Sequence, residues 1–241
     1  MSQTRPSPKI HLLSGGAANG LVSQLKPRFL ARTGFQVEGE FNAVGMIKDK
    51  LLAGAACDVI ILTDALIAQL ISSGHAVADS ARALGLVKTG IAVKNDAMRP
   101  SVGTAADLTQ ALRSATNIYF PDPVKATAGI HFMKVLRQLG IEAEVADRLR
   151  PCPNGAAAMQ ALSQASESGS IGCTQVTEII FAPGVQLVAA LPKEFELATV
   201  YTAAVCSHAA QPQAAAELIE LLIGIEAAGL RSAGGFESRE G

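Results

Sequence analysis

The chain has 241 residues, 49% of them hydrophobic, which is enough to bury the core of one large domain or two smaller ones. Its 20 basic and 21 acidic residues nearly cancel, so no overall charge favours nucleic acid or an anionic membrane as a partner. The sequence lacks Trp and only 4% of its residues are aromatic, which argues against stacking platforms for bases or sugars.

The first 75 residues repeat the order strand, small-residue loop, helix three times. The third strand is a continuous apolar run, as in parallel strands that are buried on both faces. This βαβαβα order is typical of a doubly wound, mostly parallel sheet. The strands are predicted at residues 9–13, 35–41 and 58–62, and the helices begin near residues 21, 42 and 65.

The pattern changes near Leu84, after which strands and helices alternate less regularly. Residues 142–149 are predicted to be extended or mixed, and residues 175–178 to form a turn. Residues 213–230 have the spacing of one amphipathic helix. The other predicted elements are strands at 86–93, 118–120, 171–174, 185–191 and 199–206, and helices at 105–113, 130–139 and 156–165.

A strand, a loop and a helix follow each other directly within residues 119–140. The loop Thr127-Ala128-Gly129 would place backbone N–H groups at a helix N-terminus, where they favour an anion. The alternative is an ordinary turn in which Thr127 caps the helix. Similar loops follow residues 13, 41 and 62, and the ligand crevice of an open α/β sheet lies outside such strand ends. The sequence therefore predicts a site for a small anion.

The N-terminal residues lead into the apolar run at 10–13 without the hydrophobic region of a signal peptide. We therefore expect a cytoplasmic chain as written, or a periplasmic one if a leader was removed. No apolar run reaches the roughly 18 residues that a membrane helix needs. The four cysteines have no metal-ligand or C-x-x-C spacing, so we expect free core thiols, with two disulfides as the alternative in a secreted form. No cofactor and no metal site are predicted.

Sharp catalytic motifs are missing from the sequence. It contains no G-x-S-x-G, H-E-x-x-H, Walker A or G-x-G-x-x-G pattern. The absence of a motif does not exclude an enzyme.

The loops occur in an order that resembles the molybdate-binding type of bacterial periplasmic substrate-binding protein. The resemblance rests on Ser14 to Leu21, Asn42 to Gly54, Asp122-Pro123 with Ala128-Gly129, Leu191-Pro192 before Tyr201, and the end near Gly235-Phe236. It implies a two-lobed type 2 periplasmic-binding-protein fold with the ligand in a cleft that closes by a hinge motion. It further implies lobe I at residues 1–85 plus 197–241, lobe II at 86–196, and an ABC transporter partner if the chain is exported.

Three positions depart from that family's pattern. Gly16 and Val44 stand where the family uses serine hydroxyls, and Gln175 stands where it often has tyrosine. An oxyanion that loses a hydrogen-bond donor is left unsatisfied at a cost of roughly 1–3 kcal/mol. We therefore expect a small carboxylate rather than molybdate.

The predicted site combines backbone donors with polar side chains. Asn19 and Asn154 also suit turns and caps, Lys125 also suits a solvated loop, and His131 also suits a packed position. Lys125 and His131 are the candidate catalytic residues if the protein is an enzyme. The predicted ligand-binding residues are Gly16, Ala17, Ala18, Asn19, Asn42, Val44, Gly45, Thr63, Lys125, Thr127, Ala128, Gly129, Asn154, Gly155, Ala156, Thr174 and Gln175.

Binding of a small anionic ligand is the function that the sequence favours. The alternative is an isomerase that shifts a double bond in a small tricarboxylate by proton transfer, since the bacterial aconitate isomerases resemble the same family. A ligand-gated sensor module is a third interpretation. All three use the same cleft and differ in the fate of the bound ligand and in the response of the protein to it.

Overall fold

A computed structural model describes residues 7–238 of the chain. The strands are β1 (Lys9–Gly15), β2 (Gln36–Asn42), β3 (Val59–Thr63), β4 (Arg82–Lys94), β5 (Ile118–Pro121), β6 (Leu149–Cys152), β7 (Ile171–Gln175), β8 (Val185–Ala190) and β9 (Ala198–Val205). The helices are α1 (Asn19–Thr33), α2 (Val44–Leu52), α3 (Asp64–Ser72), α4 (Ala105–Ser114), α5 (Thr127–Gln138), α6 (Glu142–Val145), α7 (Gly155–Gln164), α8 (Val176–Phe181), α9 (Pro212–Ile223) and α10 (Ala228–Ala233).

The strands form one sheet in the order β2-β1-β3-β9-β4-β7-β5-β6, with β8 paired to β4. β1 is parallel to β2 and β3, and β5 is parallel to β6 and β7. β4 and β9 run antiparallel to their neighbours and join the two parallel groups. The predicted two-lobed α/β fold with mostly parallel sheets is therefore confirmed.

The long strand β4 belongs to both lobes. Residues 82–88 pair with β9, and residues 89–94 pair with β7 and β8. The buried side chains divide at the same place: the largest hydrophobic cluster draws on residues 10–87 and 201–236, and the two others lie within residues 91–191. Each lobe thus has its own core, and β4 links them.

The C-terminal segment is attached to β4. The Leu86 N–H donates to the Glu237 carbonyl at 2.9 Å, and the Glu237 N–H donates to the Leu86 carbonyl at 2.8 Å. Gly85 has a φ of +146°, and a Cβ there would lie 2.9 Å from the Glu237 carbonyl oxygen. Glycine is therefore the residue that lets this segment approach the strand.

Two predicted elements are wrong in detail, and residues 142–149, predicted to be extended or mixed, are mixed. Residues 175–178 form the start of α8 rather than a turn, because Gln175 takes the N-cap position of that helix. Residues 142–145 are helical before β6 begins. The predicted helix 213–230 breaks at Gly224, where the Arg231 guanidinium donates to the Leu222 and Gly224 carbonyls that the break leaves free.

Two further observations concern the helices and the cysteines. Within residues 7–238, the helices are all too short or too polar to cross a membrane. The four cysteines are free thiols, and Cys57, Cys173 and Cys206 are buried, as expected for core residues.

Candidate functional site

The two lobes touch where the carboxyl ends of their strands meet. The Asn154 side chain, before α7, donates to the Asn42 side chain at the end of β2, with a distance of 3.0 Å. The Gly45 N–H, in the first turn of α2, donates to the Lys125 carbonyl at 3.0 Å. These contacts define an interlobe cleft bounded by the loops that the sequence predicted.

Gly15 lets three elements of lobe I meet at this cleft. A Cβ built on Gly15 would lie 2.8 Å from Val44 and 3.2 Å from the ring of Tyr201. Tyr201 is 2% exposed and pairs across the sheet with Thr63. The end of β1, the start of α2 and the middle of β9 are therefore in contact.

The carboxyl group of Glu178 lies between the loops of the two lobes. A Cβ added to Gly16 in lobe I would overlap Oε1, and a Cβ added to Gly155 in lobe II would overlap Oε2. The Thr174 hydroxyl donates to Oε2 at 2.5 Å. Because the carboxyl fills the space beside both glycines, larger residues at either position would displace it.

Local sequence explains why Glu178 points into the cleft. Gln175 is the N-cap residue of α8, and Glu178 stands three positions later, as in a capping box. The carboxyl accepts a hydrogen bond from the Gln175 backbone N–H, in addition to the one from Thr174. The cap thus holds the carboxyl at the helix start, which faces the other lobe.

Burial raises the pKa of Glu178 to about 7, and the hydrogen bonds from Thr174 and Gln175 oppose that rise. The side chain keeps some solvent access through a pocket of about 370 Å³ that Gly16, Asn19, Ala156 and Phe181 help to line. Glu178 is therefore a carboxyl group that gains or loses a proton near neutral pH, and the pocket gives it access to solvent.

Buried polar groups with unused hydrogen-bonding capacity lie next to Glu178. Gln175 is 3% exposed, and within residues 7–238 its side-chain nitrogen and oxygen both have no hydrogen-bond partner. Thr89, which pairs with Gln175 across the sheet, is 1% exposed, and its hydroxyl also has no hydrogen-bond partner within the described residues. Each such group costs about 1–3 kcal/mol, and in native proteins it usually meets a ligand or water.

Tyr201 adds a hydroxyl to this cluster. The Tyr201 hydroxyl lies near the side-chain amide of Gln175, but the two groups are not oriented for a hydrogen bond. Burial, and then the nearby Glu178 carboxylate, raise the pKa of Tyr201 well above its ordinary value, so the phenol is neutral at physiological pH. Thr89, Gln175, Glu178 and Tyr201 form what we call the polar floor of the cleft.

The structure brings many of the predicted site residues to this cleft. Asn19 and Ala156 line the pocket beside Glu178, and Ala17 and Ala18 are buried behind Gly16 in the turn before α1. Thr63 ends β3 opposite Tyr201. The others that meet here are Gly16, Asn42, Val44, Gly45, Asn154, Gly155, Thr174 and Gln175.

The residues around the start of α5 have other contacts. The Lys125 ammonium pairs with Asp49 at 2.5 Å on the surface. Ala126 takes the N-cap position, so Thr127 begins the helix and does not cap it, and Ala128 is buried. Gly129 packs against the carbonyls of residues 121 and 122.

The His131 ring also has a partner of its own. Its Nε2 lies 2.7 Å from the Phe195 carbonyl oxygen, so this nitrogen carries the proton. The role of Lys125 and His131 in proton transfer stays a prediction, and the geometry does not add to it.

Three residues of the polar floor, Thr89, Glu178 and Tyr201, are absent from the set predicted by sequence. The sequence pattern places Glu178 in a turn, and Tyr201 enters only as part of the family resemblance. A signal for Glu178 exists in the sequence as an acidic residue three positions after the end of an apolar strand, which is the spacing of a capping box. For Tyr201 the signal is a single aromatic residue in an otherwise small-residue strand.

Comparison with known proteins assigns the chain to a family. The sequence pattern of the bacterial extracellular solute-binding protein family matches residues 10–237. This chain is a member of that family. The predicted substrate-binding protein is thereby confirmed.

Similar structures share the fold of this solute-binding protein. The Azotobacter vinelandii periplasmic molybdate-binding protein has a TM-score of 0.80 at 18% identity, over 96% of this chain and 100% of that one. The sulfate-binding protein SubI from Mycobacterium tuberculosis H37Rv has a TM-score of 0.74 at 19% identity, over 97% of this chain and 88% of that one. A sequence relative, an aconitate isomerase from a Pseudomonas species, is 24% identical over 233 residues, which are 93% of this chain and 86% of that protein.

Proposed function

We propose that this solute-binding protein holds a small carboxylate anion against the polar floor of its interlobe cleft. The observation that carries the proposal is the Gln175 amide, which is 3% exposed and unpartnered within the described residues. A carboxylate ligand would accept a hydrogen bond from the side-chain N–H group of this amide and so remove the cost of about 1–3 kcal/mol that the unsatisfied nitrogen carries.

The surroundings favour negative charge on the ligand. The N-termini of α2 and α7 border the cleft, and helix N-termini present backbone N–H groups and the positive end of the dipole. The structural relatives are named for molybdate and sulfate, both of which are anions. A carboxylate is proposed rather than these oxyanions because Gly16 and Val44 give the cleft no side-chain hydroxyl at two positions where the family resemblance implies serine donors.

Thermal-shift measurements with molybdate, sulfate, malonate and trans-aconitate test this proposal. We expect stabilisation by the carboxylates, reaching about 2.7 kcal/mol at 100 times Kd. Replacing Gln175 by Ala should reduce that shift strongly. Glu217→Gln, at an exposed position of α9, is the control. Stabilisation by molybdate and sulfate, with none by carboxylates, would contradict the proposal.

A second candidate function is isomerisation of an unsaturated polycarboxylate. Glu178 supports it, because a carboxyl with a pKa of about 7 can take and return a proton at neutral pH. Its carboxylate would remove a proton from the saturated carbon, the double bond would shift by one carbon, and the same carboxyl would return the proton at the far end. The relative named aconitate isomerase makes this reaction class worth testing.

The isomerase candidate is tested with trans-aconitate in D₂O, followed by proton NMR. An enzyme would interconvert the isomers and, with solvent exchange, place deuterium on the allylic carbon. Glu178→Gln should then abolish turnover. An unchanged ligand, in a sample where thermal shift proves binding, would leave binding as the function.

The relatives also support proposals about organisation. We place lobe I at residues 1–85 plus 197–241 and lobe II at residues 86–196, in accord with the division of the buried clusters. The family description, and the structural relatives described as periplasmic, support a role outside the cytoplasm beside an ABC transporter. Co-purification with the membrane components of such a transporter would test this.

A further inference from the structure

We propose that Glu178 couples ligand binding to proton uptake: its neutral carboxyl is a hydrogen-bond donor to the bound anion, and its ionised form excludes that anion. This inference rests on the proposed function, because it assigns a role to one group within the same cleft.

The geometry makes Glu178 part of the ligand's surroundings. Its two oxygens lie against the Gly16 loop of lobe I and the Gly155 loop of lobe II. Oε2 accepts the Thr174 hydroxyl, so Oε1, on the Gly16 side, is the oxygen available to carry a proton. A proton there converts the carboxyl group of the polar floor into a donor that faces the loop after β1.

Among the described residues, no cation pairs with the Glu178 carboxyl and stabilises its ionised form. Tyr201 is the titratable group that faces it, and the phenol is neutral. The turn at 16–18, α7 and β8 carry no titratable residue in their sequences, and the β7 thiol Cys173 is kept neutral because burial raises its pKa. The cations of α1 and β4 have other partners: Lys26 lies over the Phe41 ring, Arg28 and Arg32 pair with Glu226, Arg82 with Glu220, Lys88 with Glu196 and Glu237, and Lys94 with the Ala165 carbonyl.

Binding of an anion must therefore change the protonation of Glu178. Two negative groups within hydrogen-bond distance in a buried site cannot both stay ionised, so the ligand raises the pKa of the carboxyl further. Since the pKa is about 7 before binding, neutral solution contains both forms. The ligand selects the protonated form and takes up the missing fraction of a proton from the buffer.

Calorimetric titration with trans-aconitate, over a range of pH, tests this coupling in the full-length protein. From the pKa of about 7, the protonated fraction falls about 25-fold between pH 6.5 and pH 8.5, so the Kd of the wild type should weaken by about that factor. Glu178→Gln carries a permanent donor in place of the carboxylic acid, so its Kd should stay nearly constant. Glu217→Gln, at an exposed position of α9, is the matched control and should follow the wild type.

A second measurement needs no variant. At pH 7.5 the binding enthalpy of the wild type should differ between phosphate and Tris buffers by an amount that corresponds to uptake of about three quarters of a proton. Binding with no buffer dependence in the wild type, or with equal pH dependence in Glu178→Gln, would overturn the coupling and leave the proposed function intact. Failure of malonate, trans-aconitate and every other carboxylate to bind at any pH would overturn both.

Discussion

Replacement of Glu178 by Gln should stabilise the protein at neutral and alkaline pH. The pKa of this carboxyl is about 7 in the folded protein and 4.5 at its ordinary value. A carboxyl whose pKa is higher in the folded state binds protons more tightly when folded, so stability falls as pH rises from about 4.5 to about 7 and is constant above that window. Gln keeps the shape and can accept the hydrogen bonds from Thr174 and Gln175, but it does not ionise.

The expected size can be worked out from the two pKa values. Their difference of about 2.5 pKa units corresponds to about 3 kcal/mol, most of which develops between pH 5 and pH 8. Urea denaturation of the wild type and Glu178→Gln at these two pH values measures it directly: the variant should gain about 2–3 kcal/mol relative to the wild type over this interval.

Glu217→Gln serves as the control, because this residue is exposed on α9 and its replacement should leave the pH profile unchanged. Profiles of the wild type and Glu178→Gln that run parallel from pH 5 to pH 8 would refute the reasoning. They would show that Glu178 ionises as easily in the folded protein as in the unfolded chain.

Two further predictions concern the cleft. Gly155→Ala places a Cβ where the Glu178 carboxyl lies and should lower the free energy of unfolding by about 1–3 kcal/mol in urea denaturation. Gly229→Ala is the control: its Cβ would meet nothing within 4 Å among the described residues, so it should be neutral or slightly stabilising. Equal effects of the two replacements would argue against the close packing at Gly155. Asn154→Ala loses both the cap on α7 and the interlobe hydrogen bond and should destabilise by about 1–2 kcal/mol in urea denaturation. Asn154→Ser, which keeps a side-chain oxygen for the cap, should lose less, and equal losses would contradict the capping role.

The N-terminal half of the fold was predictable because local pattern and tertiary environment agree there. β3 is apolar at every buried position, as a strand covered on both faces must be, and the small-residue loops before α1 and α2 occur where the chain turns back. The misassigned segments are those in which one residue overrides the pattern. The apolar spacing of 213–230 continues through Gly224, but the backbone there is extended and the helix stops.

The candidate site was predictable as a set of loops and not as a set of side-chain roles. Strand ends in an α/β sheet converge by topology, so the loops near residues 16, 44, 155 and 175 could be grouped from sequence. The position of Glu178 depends on how α8 packs against the opposite lobe, and its pKa depends on the burial that this packing produces. The capping-box spacing places Glu178 at the start of α8, but neither this packing nor the burial is contained in the local sequence.

The paired hydrogen bonds between Leu86 and Glu237 lie on β4, the strand that links the two lobes. They lie within the part of β4 that precedes its change of partners at residues 88 and 89. If the lobes bend about this strand, the geometry of the two hydrogen bonds changes. The rate at which their amide protons exchange with solvent then changes as well. Hydrogen exchange at these two backbone positions could therefore report opening and closing without any label on the ligand.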